Sequence, residues 1–128
     1  MKLHHIGIIC KDIAFELEEL KKIHQVNQES PVLYDEHQDA KVCLINVDDD
    51  INLELISGTK VNGLLDKGIR YAHVCYEVPD LDKKIKEFKT KDVVLVSPPK
   101  PAKLFGMRRV AFLYVSYGLI ELIEGGHE

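Results

Sequence analysis

The feature that most restricts what this chain can fold into is repetition. The string H-I-G-I-I-C-K-D-I, beginning at His5, returns as H-V-C-Y-E-V-P-D-L, beginning at His73, 68 positions on. In each copy a histidine opens an apolar run, an aspartate stands seven residues later (Asp12, Asp80), and an apolar residue follows it (Ile13, Leu81). A second tag repeats at nearly the same offset: E-L-I-S-G from Glu54 and E-L-I-E-G from Glu121, 67 positions apart. Two independent tags at matching separations mark a tandem duplication. The expected organisation is one domain: a first module over about 1–57, a linker over about 58–69, and a second module over about 70–125.

Each half predicts the order βαβββ. Residues 2–9 are β-branched and apolar, hence strand. Asp12 can cap a helix over 12–24, with Ile13, Leu17, Leu20 and His24 at helical spacing. Residues 31–36, 41–47 and 51–56 read as strands, separated by the turn chemistry of E-H-Q-D and D-D-D. In the second half, strand 71–78 leads to a helix capped by Asp80 and running to about Lys89, with Leu81, Ile85 and Phe88 inward. Strands 93–96, 109–115 and 119–123 follow. A short helical turn is expected over 61–67. The fold class is therefore α+β, with two tandem βαβββ modules.

Four residues contradict the apolar character of their strands. Side chains alternate faces along a strand, which puts His5 with Gly7 and Ile9, Glu54 with Asn52 and Ile56, His73 with Cys75 and Glu77, and Glu121 with Leu119 and Ile123. Burying an ionised carboxylate costs several kcal/mol unless it is paired. A lone histidine in a strand is ordinarily a hydrogen-bonded residue, and a lone glutamate ordinarily faces solvent. A His and a Glu duplicated together are different. If the halves pack about a pseudo-twofold axis, His5, Glu54, His73 and Glu121 converge. Two imidazoles and two carboxylates suit one divalent ion such as Zn, Ni, Co, Fe or Mn.

The composition excludes several classes. With 17 basic and 21 acidic residues the net charge is −4, without the basic surface of a nucleic-acid binder. The apolar start is short, broken by His4 and His5 and followed by Lys11 and Asp12, so neither a signal peptide nor a membrane span is expected. Cys10, Cys43 and Cys75 form no C-x-x-C pair, which points to reduced, buried thiols and a cytoplasmic setting. By alternation His4 points away from the cavity; His24 ends a helix, His37 lies in a turn, and His127 lies in the tail. Glu77 shares the face of His73 but stands near the strand end, where exposure is the simpler expectation. The run Lys83, Lys84, Lys86, Glu87 is the wet face of a helix.

At these residues the chain resembles the vicinal oxygen chelate superfamily, which includes glyoxalase I, methylmalonyl-CoA epimerase, extradiol dioxygenases and bleomycin-resistance proteins. The H-H-I-G-I start, the A-H-V-C-Y-E-V-P-D-L repeat and the V-A-F-L-Y…G-L-I-E-L-I-E end look most like the epimerase and glyoxalase I branches. The resemblance implies a paired βαβββ fold whose curved mixed sheet forms a barrel-like cavity, and a metal held there by His5, Glu54, His73 and Glu121. Glu54 speaks against the dioxygenases, which use two histidines and one carboxylate. The intact set speaks against the bleomycin-binding members. What it implies chemically is a metal-dependent isomerase or lyase with one divalent ion (Zn, Ni, Co or Mn). Such an enzyme abstracts a proton beside a carbonyl through a metal-stabilised enolate or enediolate. Glu121 is the leading base and Glu54 its mate on the other face. The substrate is a small molecule, a thioester or thiol adduct, and a homodimer is implied. The segment Ser97–Arg109 (S-P-P-K-P-A-K-L-F-G-M-R-R) either closes over the cavity, with Lys100, Lys103, Arg108 or Arg109 meeting an anionic carrier, or is an ordinary solvated loop. Epimerase and glyoxalase chemistry both remain open. So does a second class, a non-catalytic small-molecule binding or sequestering protein of the same fold.

Overall fold

A computed structural model describes residues 1–125, and the chain divides into two compact units, His5–Ala72 and Met1–His4 with the residues from 73 onward. In the first unit, which takes β1 (Lys2–Ile9) from His5 on, the elements run β1, α1 (Ile13–Leu20), β2 (Val26–Glu29), β3 (Leu33–Asp35), β4 (Ala40–Val47), β5 (Ile51–Ser57) and α2 (Thr59–Asp66). The sheet order is β2-β4-β5-β1, with β3 also on β4. The second unit runs β6 (Tyr71–Val78), α3 (Leu81–Phe88), β7 (Val94–Ala102), a 3-10 turn (Lys103–Phe105), β8 (Arg108–Val115) and β9 (Gly118–Glu124). Its sheet order is β6-β9-β8-β7. Among the described residues no helix is long and apolar enough to cross a membrane.

The same local causes act in both units. Asp12 and Asp80 are extended residues whose carboxylates accept the N–H of Ala14 and of Lys83, both at 3.1 Å. That satisfies one of the free donors of each helix N-terminus. Helix α1 lays Ile13, Leu17 and Leu20 on Cys43, Ile45, Val47, Leu53 and Leu55. Helix α3 lays Leu81, Ile85 and Phe88 on Val78, Ala111, Leu113, Ile120 and Leu122. The three-residue turn between β4 and β5 uses the tolerance of aspartate for positive φ, at Asp48 (50°) and Asp50 (70°).

Several sequence expectations shift. Helix α1 stops at Leu20, short of His24. Asp48 gathers the His24 ring (2.6 Å) and the Gln25 N–H (2.9 Å), which turns the chain into β2. Strand β2 was not expected, because V-N-Q-E lacks apolar alternation; with β3 it takes the place of the single strand placed at 31–36. The linker turn is a full helix, α2. The largest difference is at Ser97–Arg109. Strand β7 continues through Ser97-Pro98-Pro99-Lys100-Pro101 to Ala102. Proline lacks the N–H that a central strand needs, but β7 is the last strand of its order and is bulged at two places along β8. Only Lys103–Met107 remains as connection.

The two arginines of that segment are committed to internal carboxylates. Arg108 bonds the Glu77 carboxylate and donates from Nε to the Glu124 carbonyl (2.8 Å). Arg109 reaches Asp82 (2.8 Å) and Glu124 (3.2 Å), and Glu124 also accepts the Arg109 backbone N–H at 2.8 Å. These contacts occupy the two arginines that one of the two readings of the segment offered to an anionic carrier. Glu77, expected to be exposed, is half-buried beside Arg108. The guanidinium holds its carboxyl below the usual 4.5.

Two tests follow from this construction. Leu55 and Leu122 are fully buried at duplicated positions, one in each core. Leu55→Ala and Leu122→Ala should each cost about 2–5 kcal/mol in urea unfolding; a near-neutral result at either would contradict the packing. Glu77→Gln removes a carboxylate whose folded pKa is depressed, so its contribution is present above the ordinary carboxylate range and disappears as pH falls through the folded value. The variant should be less stable than the parent by up to about 1 kcal/mol at pH 7. The gap should close as pH falls below the ordinary carboxylate range.

Candidate functional site

In the first unit β1 and β5 pair in parallel with Gly7 opposite Glu54. Ile6, Ile8, Leu53 and Leu55 point to the helix α1 core. Alternation therefore sends His5, Gly7 and Glu54 to the opposite face. In the second unit β6 and β9 pair in parallel with Cys75 opposite Glu121, while Tyr76, Val78, Ile120 and Leu122 join the helix α3 core. His73, Cys75 and Glu121 share the other face. Each histidine thus stands two residues before the residue that faces the glutamate. The duplication seen in the sequence is a duplication of register.

The four expected ligands form one pair in each unit. His5 Nε2 lies 3.4 Å from Glu54 Oε1, and His73 Nε2 lies 3.2 Å from Glu121 Oε1. All four side chains are buried, the two glutamates to 1% exposure. Charge-assisted N–H···O bonds are shorter, about 2.7–2.9 Å. Two donors held about 2.1 Å from one ion in tetrahedral geometry stand about 3.4 Å apart. The donor set and its spacing in each pair fit ligation of a borderline divalent ion.

Two neighbours carried no sequence signal. Phe112 lies opposite Glu121 on β8 and meets the His73 ring edge-on, with centroids 5.3 Å apart and planes at 86°. That contact holds the imidazole on the strand's inner side. Gln38, in the turn between β3 and β4, places Nε2 at 2.6 Å from Asp35 Oδ2 and 3.5 Å from Glu54 Oε2. A strand pattern could have pointed to Phe112 through its register. Nothing in the order of residues singles out Gln38.

The remaining candidates sort by their contacts. His4 meets Phe105 edge-on. His24 is held by Asp48. His37 lies in a turn, as expected, with its N–H on Asp35. His127 lies outside the described residues. Cys10, Cys43 and Cys75 are all buried thiols. Burial, followed by the nearby Glu16 and Asp12, pushes the Cys10 thiol up to about 12, far from a reactive thiolate.

Solved structures share the fold of this chain. Methylmalonyl-CoA epimerase from Mycobacterium tuberculosis is similar over 98% of this chain and 89% of its own, at 20% identity and a TM-score of 0.78. Streptomyces coelicolor methylmalonyl-CoA epimerase, in complex with 2-nitronate-propionyl-CoA, is similar over 98% of this chain and 95% of its own, at 20% identity and a TM-score of 0.76. A hypothetical protein from Bacillus halodurans C-125 is similar over 99% and 96%, at 21% identity and a TM-score of 0.74. These likenesses establish the shared α+β fold of paired βαβββ modules. No curated protein matches the chain. The family description "Glyoxalase/Bleomycin resistance protein/Dioxygenase superfamily" matches residues 4–112, so the chain belongs to that superfamily, the vicinal oxygen chelate proteins.

Proposed function

We propose that His5, Glu54, His73 and Glu121 together hold one divalent transition ion, and that the protein is an isomerase or lyase that removes a proton beside a carbonyl. The observation that carries this reading is the buried His–Glu pair built twice at one register. Two carboxylates bring two negative charges into strands that are otherwise apolar. Neutral imidazoles ligate but do not offset them, whereas one divalent cation offsets both. When bound, that cation supplies Lewis-acid polarisation of a substrate oxygen, which acidifies the neighbouring C–H.

The chain's own residues do the rest. Glu121 takes the proton: its carboxylate is buried, paired with His73 and bordered by Phe112, which limits competing water. Glu54 stands at the equivalent place in the first unit. The epimerase relatives bind acyl-CoA molecules, one of them methylmalonyl-CoA, and this favours a thioester with an acidic α-carbon as substrate. Glyoxalase-type chemistry would use the same two glutamates on a thiol adduct.

Three measurements on the purified protein test the reading. Elemental analysis after reconstitution should find one divalent ion per chain. Solvent deuterium should enter the α-carbon of an acyl-CoA ester only with the ion present, and chelation should abolish exchange and lower the melting temperature. Glu121→Gln should keep its circular dichroism and lose exchange by about 100-fold or more. Unchanged exchange in that variant would remove Glu121 as base. Tight acyl-CoA binding without any exchange in the parent would mark a binding protein instead.

A further inference from the structure

We infer that Gln38 is a positioning residue for Glu54, and that it makes the two halves of the duplicated site chemically inequivalent. The inference rests on the four-ligand reading above.

Gln38 lies half-buried in the turn joining β3 and β4. An amide nitrogen carries two N–H donors, and the two oxygens that Gln38 Nε2 meets are Asp35 Oδ2 at 2.6 Å and Glu54 Oε2 at 3.5 Å. Asp35 is itself oriented, because its Oδ1 accepts the backbone N–H of His37 at 2.9 Å. The turn therefore aims a fixed amide at the ligand carboxylate. The oxygens of Glu54 are divided: Oε1 faces His5, and Oε2 faces Gln38. A donor on Oε2 restrains rotation of the carboxylate, which keeps Oε1 turned toward His5.

The second unit cannot repeat this arrangement. Residues 71–125 contain no asparagine and no glutamine. The corresponding connection between β7 and β8 is Lys103-Leu104-Phe105-Gly106-Met107. Across its hairpin Glu121 faces Phe112, at the place where Glu54 faces Leu44. A duplicated ligand pair has thus diverged around its carboxylates, with an amide directed at one and an aromatic ring beside the other.

Metal affinity is the readout, because it does not depend on turnover. Zn²⁺ or Co²⁺ binding to the apo-protein would be measured by chelator competition. The set comprises the parent, Gln38→Ala, the length-preserving Gln38→Met, Glu54→Ala, and each Gln38 change combined with Glu54→Ala. Loss of an outer hydrogen bond to a ligand should weaken affinity by about 10-fold. In the Glu54→Ala background the Gln38 changes should have no further effect. Parent-like affinity in folded Gln38→Met would overturn the inference, as would the same loss with Glu54 absent. Failure of the four-ligand reading looks different, since the unmodified protein would then take up no ion.

Discussion

Two glutamates buried to 1% exposure in otherwise apolar strands set the terms for this molecule. A carboxylate carried out of water costs several kcal/mol unless its charge is met. Each glutamate has a buried histidine beside it. A neutral imidazole meets the need for a neighbour but not the need for positive charge. On the proposed reading, one divalent cation supplies positive charge to both carboxylates.

The rest of the fold serves to keep those side chains on the correct face. Sheet register is unforgiving, because a slip of one residue sends every side chain to the other side. In both units a helix capped by aspartate covers one face and consumes its apolar residues. The histidine and the glutamate are left on the other. Gly7 opposite Glu54 and Cys75 opposite Glu121 fix the two pairs at the same step. Duplication thus copied a local solution as a unit: cap, helix, core, and the polar pair on the reverse face.

Much of this was legible because it is periodic. A glutamate within E-L-I, repeated at the offset of a histidine that opens an apolar run, breaks a strand pattern twice in the same way. The Asp12 and Asp80 caps follow from residues whose preferences are local. What was not legible depends on contacts distant in sequence. The three prolines after Ser97 signal loop locally, and only the place of β7 at the end of its sheet order permits a strand there. Arg108 and Arg109 look available until Glu77, Asp82 and Glu124 are brought beside them. Gln38 carries no pattern at all, and its relation to Glu54 exists only once β3 and β4 have turned back on each other.

X-ray absorption at the metal edge of the reconstituted protein tests the central claim most directly. The account predicts a single first shell of nitrogen and oxygen donors near 2.0–2.2 Å with the outer scattering of two imidazoles, and no sulfur. A sulfur donor near 2.3 Å would place the ion on a cysteine such as Cys75. That result, or a shell lacking imidazole, would contradict it.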